Sequence, residues 1–209
     1  MFKQTIVDLL EGHFICEQTN PAMFRWLKEP ENLIDIESYL SKINRRLVMT
    51  GNGFSYYCAW ETIGVEERSE VKRIFMDIKH TIAPVVAFLK VCMNHSKQDI
   101  SPAAGDRLNY ASLLTTITEN PNVLEEMRAL GVLGKEFLSA DASAKGMLDR
   151  VIKQMMLWGY LTEHSKNQVS YSFTGKLDYF YEVITFLAED EKSILSPEDE
   201  YAPTQGRLA

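Results

Sequence analysis

The residues best able to bind a metal ion or attack a substrate are histidine and cysteine, and this sequence has few of either. The histidines are His13, His80, His95 and His164, and the cysteines are Cys16, Cys58 and Cys92. His13 with Cys16 and Cys92 with His95 are each about one helical turn apart, but neither pair has a further histidine or cysteine nearby to complete a metal site. The three widely spaced cysteines fit neither a zinc pattern nor a disulfide framework. The sequence therefore predicts no metal site, and it favours apolar burial of the cysteines.

Motifs for nucleotide binding and nucleophilic catalysis are also missing. Gly51-Asn52-Gly53 is not followed by the lysine and helix of a phosphate-binding loop, and no Gly-x-Ser-x-Gly elbow occurs. The acidic pairs Glu66-Glu67 and Glu125-Glu126 would point about 100° apart on a helix, which suits a solvated face better than an acid–base dyad. We therefore predict a protein that is not an enzyme, with no catalytic residues and no cofactor; a site assembled from scattered residues stays open.

A small basic set is suited to contact with DNA phosphates. Its members are Lys145, Arg150, Lys153 and Lys166. Basic side chains on a helix are most often only solvated, but the place of this helix in the fold described below favours DNA contact. The set lacks the Asn, Gln and Arg cluster that reads base edges, so we expect contact with phosphate.

Aromatic side chains are concentrated near the predicted hairpins and the last helix. They are Tyr56, Tyr57, Trp60, Trp158, Tyr160, Tyr171, Tyr179 and Tyr181. Any one of them is readily explained as core, but small domains cannot bury them all. The group is therefore either largely core or in part an interface for another protein.

The elements that position these residues are clearest between 143 and 174. Apolar residues recur every three or four positions, which predicts a helix that Ser143 caps and Trp158-Gly159 ends. The apolar period then changes to two on either side of a polar turn, which predicts a hairpin. A helix running into a hairpin, with another helix after Thr174-Gly175, is typical of the second half of a winged helix.

Residues 1–62 show the same order. A first helix ends at Gly12, Asn20-Pro21 opens a second, and a third precedes the hairpin. Asn52-Gly53 between β-rich runs is a strong hairpin signal. This segment predicts another winged helix.

The middle of the chain is predicted to be helical. A long helix from Glu66 to Met93 has an apolar stripe between Val71 and Leu89, and further helices are expected to open at Ser101-Pro102 and Asn120-Pro121. The predicted fold is mainly α (α+β), with tandem winged-helix domains at 1–62 and 143–189 joined by a helical region at 63–142.

Composition and charge further restrict the function and the location of the protein. The net charge of −7 argues against broad coating of nucleic acid, though not against a local basic patch. Residues 190–209 are predicted to be an acidic, disordered tail. No run is apolar enough to span a membrane and the N-terminus lacks a secretory signal, so we expect a cytoplasmic, nucleoid-associated protein.

Four blocks carry a resemblance to a known family. They are Glu11-Gly12-His13-Phe14-Ile15, Ile36-Glu37-Ser38-Tyr39-Leu40, Gly51-Asn52-Gly53-Phe54-Ser55-Tyr56-Tyr57, and Leu148-Asp149-Arg150-Val151 through Trp158. In order and spacing they resemble the MukE and MksE group, the kleisin-interacting tandem winged-helix subunits of bacterial condensins. The resemblance covers about residues 1–62 and 143–187. The short chain and brief acidic tail make the MksE branch the closer fit.

The resemblance implies a non-catalytic, homodimeric subunit that binds the kleisin (MksF/MukF-like) linking the heads of an SMC ATPase (MksB/MukB-like). DNA would be bound through the complex, with Lys145, Arg150 and Lys153 at positions matching the family's basic helix. Phe54, Tyr56 and Tyr57 of the first wing are nominated as the kleisin contact. Chromosome organisation or segregation and plasmid defence are both open as the role of the complex.

The alternative is a free-standing winged-helix transcription regulator. It fits the predicted fold equally well but calls for a basic DNA face and base-reading side chains. The mixed charges of the predicted recognition helix favour the condensin subunit.

Overall fold

The first lobe, residues 2–60, places three helices against a three-stranded sheet. The computed structural model describes residues 1–96, 100–138, 141, 143–165 and 169–195. The elements of this lobe are α1 (Phe2–Leu10), β1 (Ile15–Cys16), α2 (Pro21–Leu27), α3 (Pro30–Ser41), β2 (Arg45–Met49) and β3 (Ser55–Trp60). Asn20 caps α2 by accepting a hydrogen bond from Met23 N at 3.0 Å. Gly12 follows α1 at φ +82°, a conformation that glycine adopts without strain. Both predicted helix boundaries are confirmed.

The first sheet has the antiparallel order β1-β3-β2. Its hairpin turns at Asn52-Gly53, where Gly53 has φ +75° and Thr50 N donates to Ser55 O at 2.9 Å. The predicted hairpin is therefore confirmed. Because successive strand residues point to opposite faces, Tyr56 and Tyr57 lie on different sides of this sheet.

The remaining elements form the second lobe, together with a helix that reaches back to the first. They are α4 (Arg68–Ser96), β4 (Arg107–Asn109), α5 (Tyr110–Glu119), α6 (Pro121–Val132), a short 3₁₀ helix (Lys135–Phe137), α7 (Ala144–Leu157), β5 (Leu161–Ser165), β6 (Ser170–Phe173) and α8 (Lys176–Leu195). The second sheet has the order β4-β6-β5 and is also antiparallel. The fold is thus mainly helical with two small antiparallel sheets, in agreement with the predicted mainly α, α+β class.

One predicted helix start is wrong. The helix expected to open at Ser101-Pro102 begins at Tyr110, where the Asn109 side chain accepts from Ser112 N at 2.9 Å. The preceding residues Arg107–Asn109 pair with β6 instead. A local capping signal at Ser101 is therefore overridden by a strand pairing with residues more than 60 positions away.

Each lobe has its own apolar core. The first core consists of Ile6, Leu9, Ile15, Met23, Phe24, Leu27, Ile36, Leu40 and Tyr56. The second extends from Val85 on α4 to Phe180 on α8 and includes Leu113, Met127 and Leu148. It therefore draws on both the middle region and the segment after residue 143.

The C-terminal helix continues past the point where the sequence predicts a tail. Helix α8 reaches Leu195, so six of the residues assigned to the tail are helical. Residues 196–209 lie outside the described residues. Among the described helices, none has both the length and the apolar character required to cross a lipid bilayer.

Candidate functional site

Helix α7 carries three of the four predicted DNA-contacting residues, Lys145, Arg150 and Lys153, and its ends are fixed as the sequence predicts. Ser143 Oγ accepts from Gly146 N at 3.0 Å and donates to Asp141 Oδ2 at 2.6 Å. After the helix, Gly159 has φ +78°. Leu148 on the inner face is fully buried, which fixes the rotation of the helix. The basic residues therefore lie on defined positions of the outer and flanking faces.

Removing the cap of α7 gives a testable loss of stability. We expect Ser143→Ala to lower the free energy of unfolding by about 1 kcal/mol, because Gly146 N loses its acceptor. Urea unfolding followed by circular dichroism measures the change. Ser38→Ala, on the exposed face of α3, is the control and should be neutral or slightly stabilising. Equal losses in both variants would contradict the capping role.

Lys145 is engaged within the protein. Its Nζ lies 2.5 Å from Asp149 Oδ2, one helical turn away, and the Tyr110 hydroxyl donates to the same carboxylate. Burial by itself would raise the pKa of Asp149, but the hydrogen bonds from Lys145 and Tyr110 outweigh it and lower that pKa. The charge of Lys145 is therefore compensated locally.

The other predicted DNA-contacting residues differ in their exposure and in their contacts. Arg150 is half-buried, and its Nε donates to Glu136 O at 2.5 Å, which ties α7 to the 3₁₀ helix. Lys153 is exposed, and no ion pair to it occurs in the part of the chain that the structure describes. Lys166 lies outside the described residues. The structure therefore gives Lys153 the best access to a phosphate group, while Arg150 has a structural contact.

Apolar surface surrounds Lys153. A depression of about 380 Å³ next to it is lined by Ile152, Met156, Leu157 and Tyr171. Leu157 is 69% exposed, an unusually high fraction for a leucine at a helix end. The outer face of α7 thus combines mixed charge with apolar area and is not a continuous basic stripe.

The three residues nominated for the kleisin contact lie in three different environments. Tyr56 belongs to the first core and packs on Phe24, with ring centroids 5.7 Å apart. Phe54, at the end of the turn, is 42% exposed. Tyr57 is half-buried on the opposite face of the sheet from Tyr56. The structure therefore does not bring the three together as one surface.

The β2–β3 hairpin of the first lobe is docked on the second lobe along a contact that we call the seam. Among the hydrogen bonds that cross it are Gly51 N to Glu182 Oε1 (2.5 Å), Asn52 Nδ2 to Asp178, and Ser55 Oγ to Gly175 O (3.1 Å). Gly175 N also donates to Cys16 Sγ at 3.4 Å. Backbone and small side chains approach closely here, so the two lobes are held in a fixed contact.

Beside the seam lies an open groove of about 780 Å³. We call it the interlobe groove. The outer side of the first sheet, α8, and the N-terminal half of α4 form its walls. A groove of this size with aromatic and aliphatic walls suits an apolar ligand or a segment of another polypeptide.

One wall of the interlobe groove is an aromatic cluster. The rings of Phe14, Tyr57 and Tyr179 lie with centroids between 5.0 and 5.2 Å apart. Phe14 and Tyr57 belong to the first lobe and Tyr179 to α8, so the cluster joins the lobes. Burial raises the pKa of Tyr57 to about 12, Tyr179 and the Glu182 carboxylate raise this pKa further, and the nearby positive charge of Arg46 opposes the shift. Arg46 is therefore close to the cluster.

Lys176 places a second cation beside the same cluster. Its Nζ donates to Trp158 O at 2.8 Å and lies 5.6 Å from the Phe14 ring centroid and 5.3 Å from that of Tyr160. Burial lowers the pKa of this largely buried ammonium group. No carboxylate lies within ion-pair distance of it in the described residues. The groove therefore has, next to aromatic rings, an ammonium group that makes no ion pair with any described residue.

Helix α4 supplies the opposite wall. Val71, Ile74 and Ile78 share one face and line the groove, and Ile74 is 39% exposed. The apolar stripe predicted for α4 is buried only in its second half, where Val85 is 1% exposed. Near the first half, Arg45 pairs with Glu70 at 3.2 Å and tethers α4 to the first lobe. The first half of α4 thus presents apolar side chains that the described part of the chain leaves partly exposed.

A group of three side chains with metal-ligand atoms lies at the end of α1, where the sequence predicts no metal site. Ligand atoms of Asp8, Glu11 and His13 are all within 4.8 Å of one another. Glu11 and His13 are exposed and approach each other at 3.7 Å. Exposed acidic groups commonly gather without an ion, so the absence of a metal site stays a prediction.

Comparison with known proteins identifies the family. Residues 1–184 match the model of a condensin complex subunit. That family is described as condensin complex protein MksE, and since the match covers most of the 209 residues, the chain belongs to it. The resemblance stated from the sequence is thus confirmed. No curated protein was found to match the chain.

Proposed function

We propose that this protein is the non-catalytic accessory subunit of an MksBEF-like condensin, and that it binds the kleisin subunit of that complex. The match to the MksE family over residues 1–184 carries the proposal. Through the kleisin, a homodimer of this chain would join an SMC ATPase and support chromosome organisation or plasmid defence. ATP hydrolysis belongs to the SMC partner in this scheme.

Each lobe is proposed to be a winged helix. Support comes from the order of elements: in both lobes a helix precedes a short strand, further helices follow, and a hairpin closes the sheet. In both sheets the last strand lies between the other two, as β1-β3-β2 and β4-β6-β5. On this view the second winged helix starts within α4, and α7 is its recognition helix.

The kleisin is proposed to bind in the interlobe groove. The aromatic cluster, Arg46, Lys176 and the open stripe of α4 together offer the apolar centre and charged edge typical of a binding site for a polypeptide segment. Of the three residues nominated from the sequence, Tyr57 lines this groove. Tyr56 lies in the first core and does not line the groove. Phe54 lies at the turn of the hairpin, next to the seam.

DNA contact by the assembled complex is proposed to depend on Lys153 more than on Lys145. We expect Lys153→Gln to weaken DNA binding about fivefold near 0.1 M salt, the loss of one phosphate contact. Lys145→Gln should change binding less than about twofold, since Asp149 already compensates its charge. Fluorescence anisotropy of a labelled duplex with the complete complex measures both. Equal effects of the two variants would contradict this assignment.

Co-purification tests the proposed function. The full chain is expressed with the products of its neighbouring genes and sized by light scattering. A stable complex with a kleisin and a large coiled-coil ATPase is expected, with two copies of this chain. A chain that ignores these partners at micromolar concentration, yet binds a short duplex in a sequence-dependent way, would replace the proposal by the transcription regulator.

A further inference from the structure

Helix α4 carries a heptad repeat of apolar residues that the protein covers at one end only. Its members, spaced alternately four and three positions apart, are Val71, Phe75, Ile78, Ile82, Val85, Leu89 and Cys92. This spacing is the one by which one helix packs its apolar side chains between those of another. Val85, Leu89 and Cys92 are buried in the second core. The C-terminal end of the repeat is therefore already packed inside the protein.

The N-terminal end of the same repeat is open. We call Val71, Phe75, Ile78 and Ile82 the heptad stripe. Phe75 is 50% exposed, and the other three side chains are half-buried. Val71 and Ile78 line the interlobe groove, whereas Phe75 and Ile82 do not. From Val71 to Ile82 the stripe extends about 16 Å along α4, or about three turns, which matches one further helix of about 11–14 residues.

Two lysines flank the heptad stripe on the side away from the groove. Lys72 and Lys79 are exposed, and neither has an acidic residue three or four positions away on α4. Neither makes an ion pair within the part of the chain that the structure describes. The carboxylates lie on the other flank, where Glu70 pairs with Arg45 and Asp77 lines the groove. A partner on the stripe would therefore meet two available cations along one edge.

The pattern and the charges together specify an amphipathic helix with an acidic flank. Its apolar face would fit the heptad stripe, and its carboxylates would pair with Lys72 and Lys79. DNA is a less suitable occupant, because its phosphates would leave Phe75 against a charged backbone. A second copy is also less suitable. In an antiparallel pair the flanking lysines of the two copies would repel each other, and in a parallel pair they would face the uncharged Ile74 and Thr81.

We infer that the kleisin segment bound by this protein includes an amphipathic helix with an acidic flank, which lies along the heptad stripe of α4 with its carboxylates against Lys72 and Lys79. This inference rests on the proposed function, because it takes the kleisin as the source of the helix. It adds the conformation, the charge and the contact face of the bound segment. Val71 and Ile78 belong both to the stripe and to the groove wall, so the helix and a kleisin segment continuing into the groove would share one surface.

A matched pair of apolar truncations tests the contact. Phe75 and Met76 are neighbours with the same 50% exposure, but Met76 lies on the outer face of α4, outside the heptad stripe. We expect Phe75→Ala to weaken the binding of a kleisin fragment at least about tenfold and Met76→Ala to weaken it less than about twofold. Isothermal titration calorimetry with the full chain measures both affinities. Circular dichroism checks that each variant keeps the helical content of the parent.

Charge reversals test the acidic flank. Lys72→Glu and Lys79→Glu should each weaken kleisin binding about fivefold near 0.1 M salt, because attraction to the partner becomes repulsion. Arg73→Glu makes the same kind of reversal on the opposite side of α4 and should change the affinity less than about twofold. Hydrogen–deuterium exchange of the kleisin fragment identifies the bound segment. The protected stretch should have apolar residues every three or four positions and Asp or Glu along one edge.

Each other outcome overturns the inference. Equal effects of Phe75→Ala and Met76→Ala, or of Lys79→Glu and Arg73→Glu, would place the kleisin on another surface. A protected kleisin stretch that is basic, or that lacks the apolar repeat, would contradict the proposed chemistry. Lysine reversals that weaken the binding of a labelled duplex but spare the kleisin would assign this flank to DNA. In all these cases the kleisin still binds the unchanged chain and the proposed function stands, whereas a kleisin that does not bind the unchanged chain refutes both.

Discussion

Replacing Gly175 by alanine is expected to lower the free energy of unfolding by about 3 kcal/mol. A Cβ atom at this position would lie 2.6 Å from Ser55 Cβ, 2.8 Å from Phe54 O and 3.0 Å from Cys16 Cβ. Two of these neighbours are short side chains and one is backbone, so none can move aside cheaply. Overpacking of this kind costs about 1–3 kcal/mol. Separation of the seam would add the loss of the Ser55 Oγ–Gly175 O bond, about 1 kcal/mol.

Chemical denaturation monitored by circular dichroism and tryptophan fluorescence measures this change. Gly131→Ala in α6 is the matched control: the atom nearest to the added methyl group would be 4.0 Å away, so the substitution should stabilise the helix by up to about 1 kcal/mol. Because the seam joins the lobes, Gly175→Ala should also separate their unfolding transitions. An unchanged stability of Gly175→Ala would mean that the lobes do not depend on this contact.

Local signals in the sequence predicted the ends of the elements. The caps at Asn20 and Ser143 and the turn at Asn52-Gly53 all form as expected, because each depends on atoms within three or four residues. The start of α5 could not be found this way, since it follows from the pairing of Arg107–Asn109 with β6. A single sequence therefore predicts helix caps and turns, but it does not predict which distant strands pair.

In the candidate sites too, local features could be predicted from the sequence and contacts between distant residues could not. Alternation along β3 indicates that Tyr56 and Tyr57 face opposite ways, so the sequence held the signal that both could not serve one surface. By contrast, no local sequence pattern predicts the hydrogen bond from Arg150 to Glu136 O. The same holds for the contact of Lys176 with the ring of Phe14, which is 162 positions away. The groove is assembled from such distant residues. Its one sequence signal was the apolar stripe of α4, which is longer than the second core can cover.

A charge placed on that uncovered stripe is expected to abolish most kleisin binding. We predict that Ile74→Glu weakens the affinity for a kleisin fragment by about 30-fold or more, the effect of losing a hot-spot contact worth about 2 kcal/mol. Ile74 lines the groove and is 39% exposed, so glutamate remains solvated in the free protein and the fold should persist. The penalty arises only when a partner covers the carboxylate. Isothermal titration calorimetry of the full chain with the kleisin fragment measures the change.

Two matched substitutions decide which surface the kleisin uses. Ile34→Glu makes the same chemical change on α3, where the side chain is 62% exposed and outside the groove, and it should leave the affinity unchanged. Phe54→Glu places the charge at the turn of the β2–β3 hairpin, where the side chain is 42% exposed and also outside the groove. If Phe54→Glu is the damaging variant and Ile74→Glu is harmless, the kleisin binds the tip of the hairpin, as the sequence alone suggested. If the binding energy instead comes from filling the open apolar space between the lobes, Ile74→Glu is the damaging variant and Phe54→Glu is harmless. The reason is that Ile74 borders that space, whereas Phe54 and Ile34 do not.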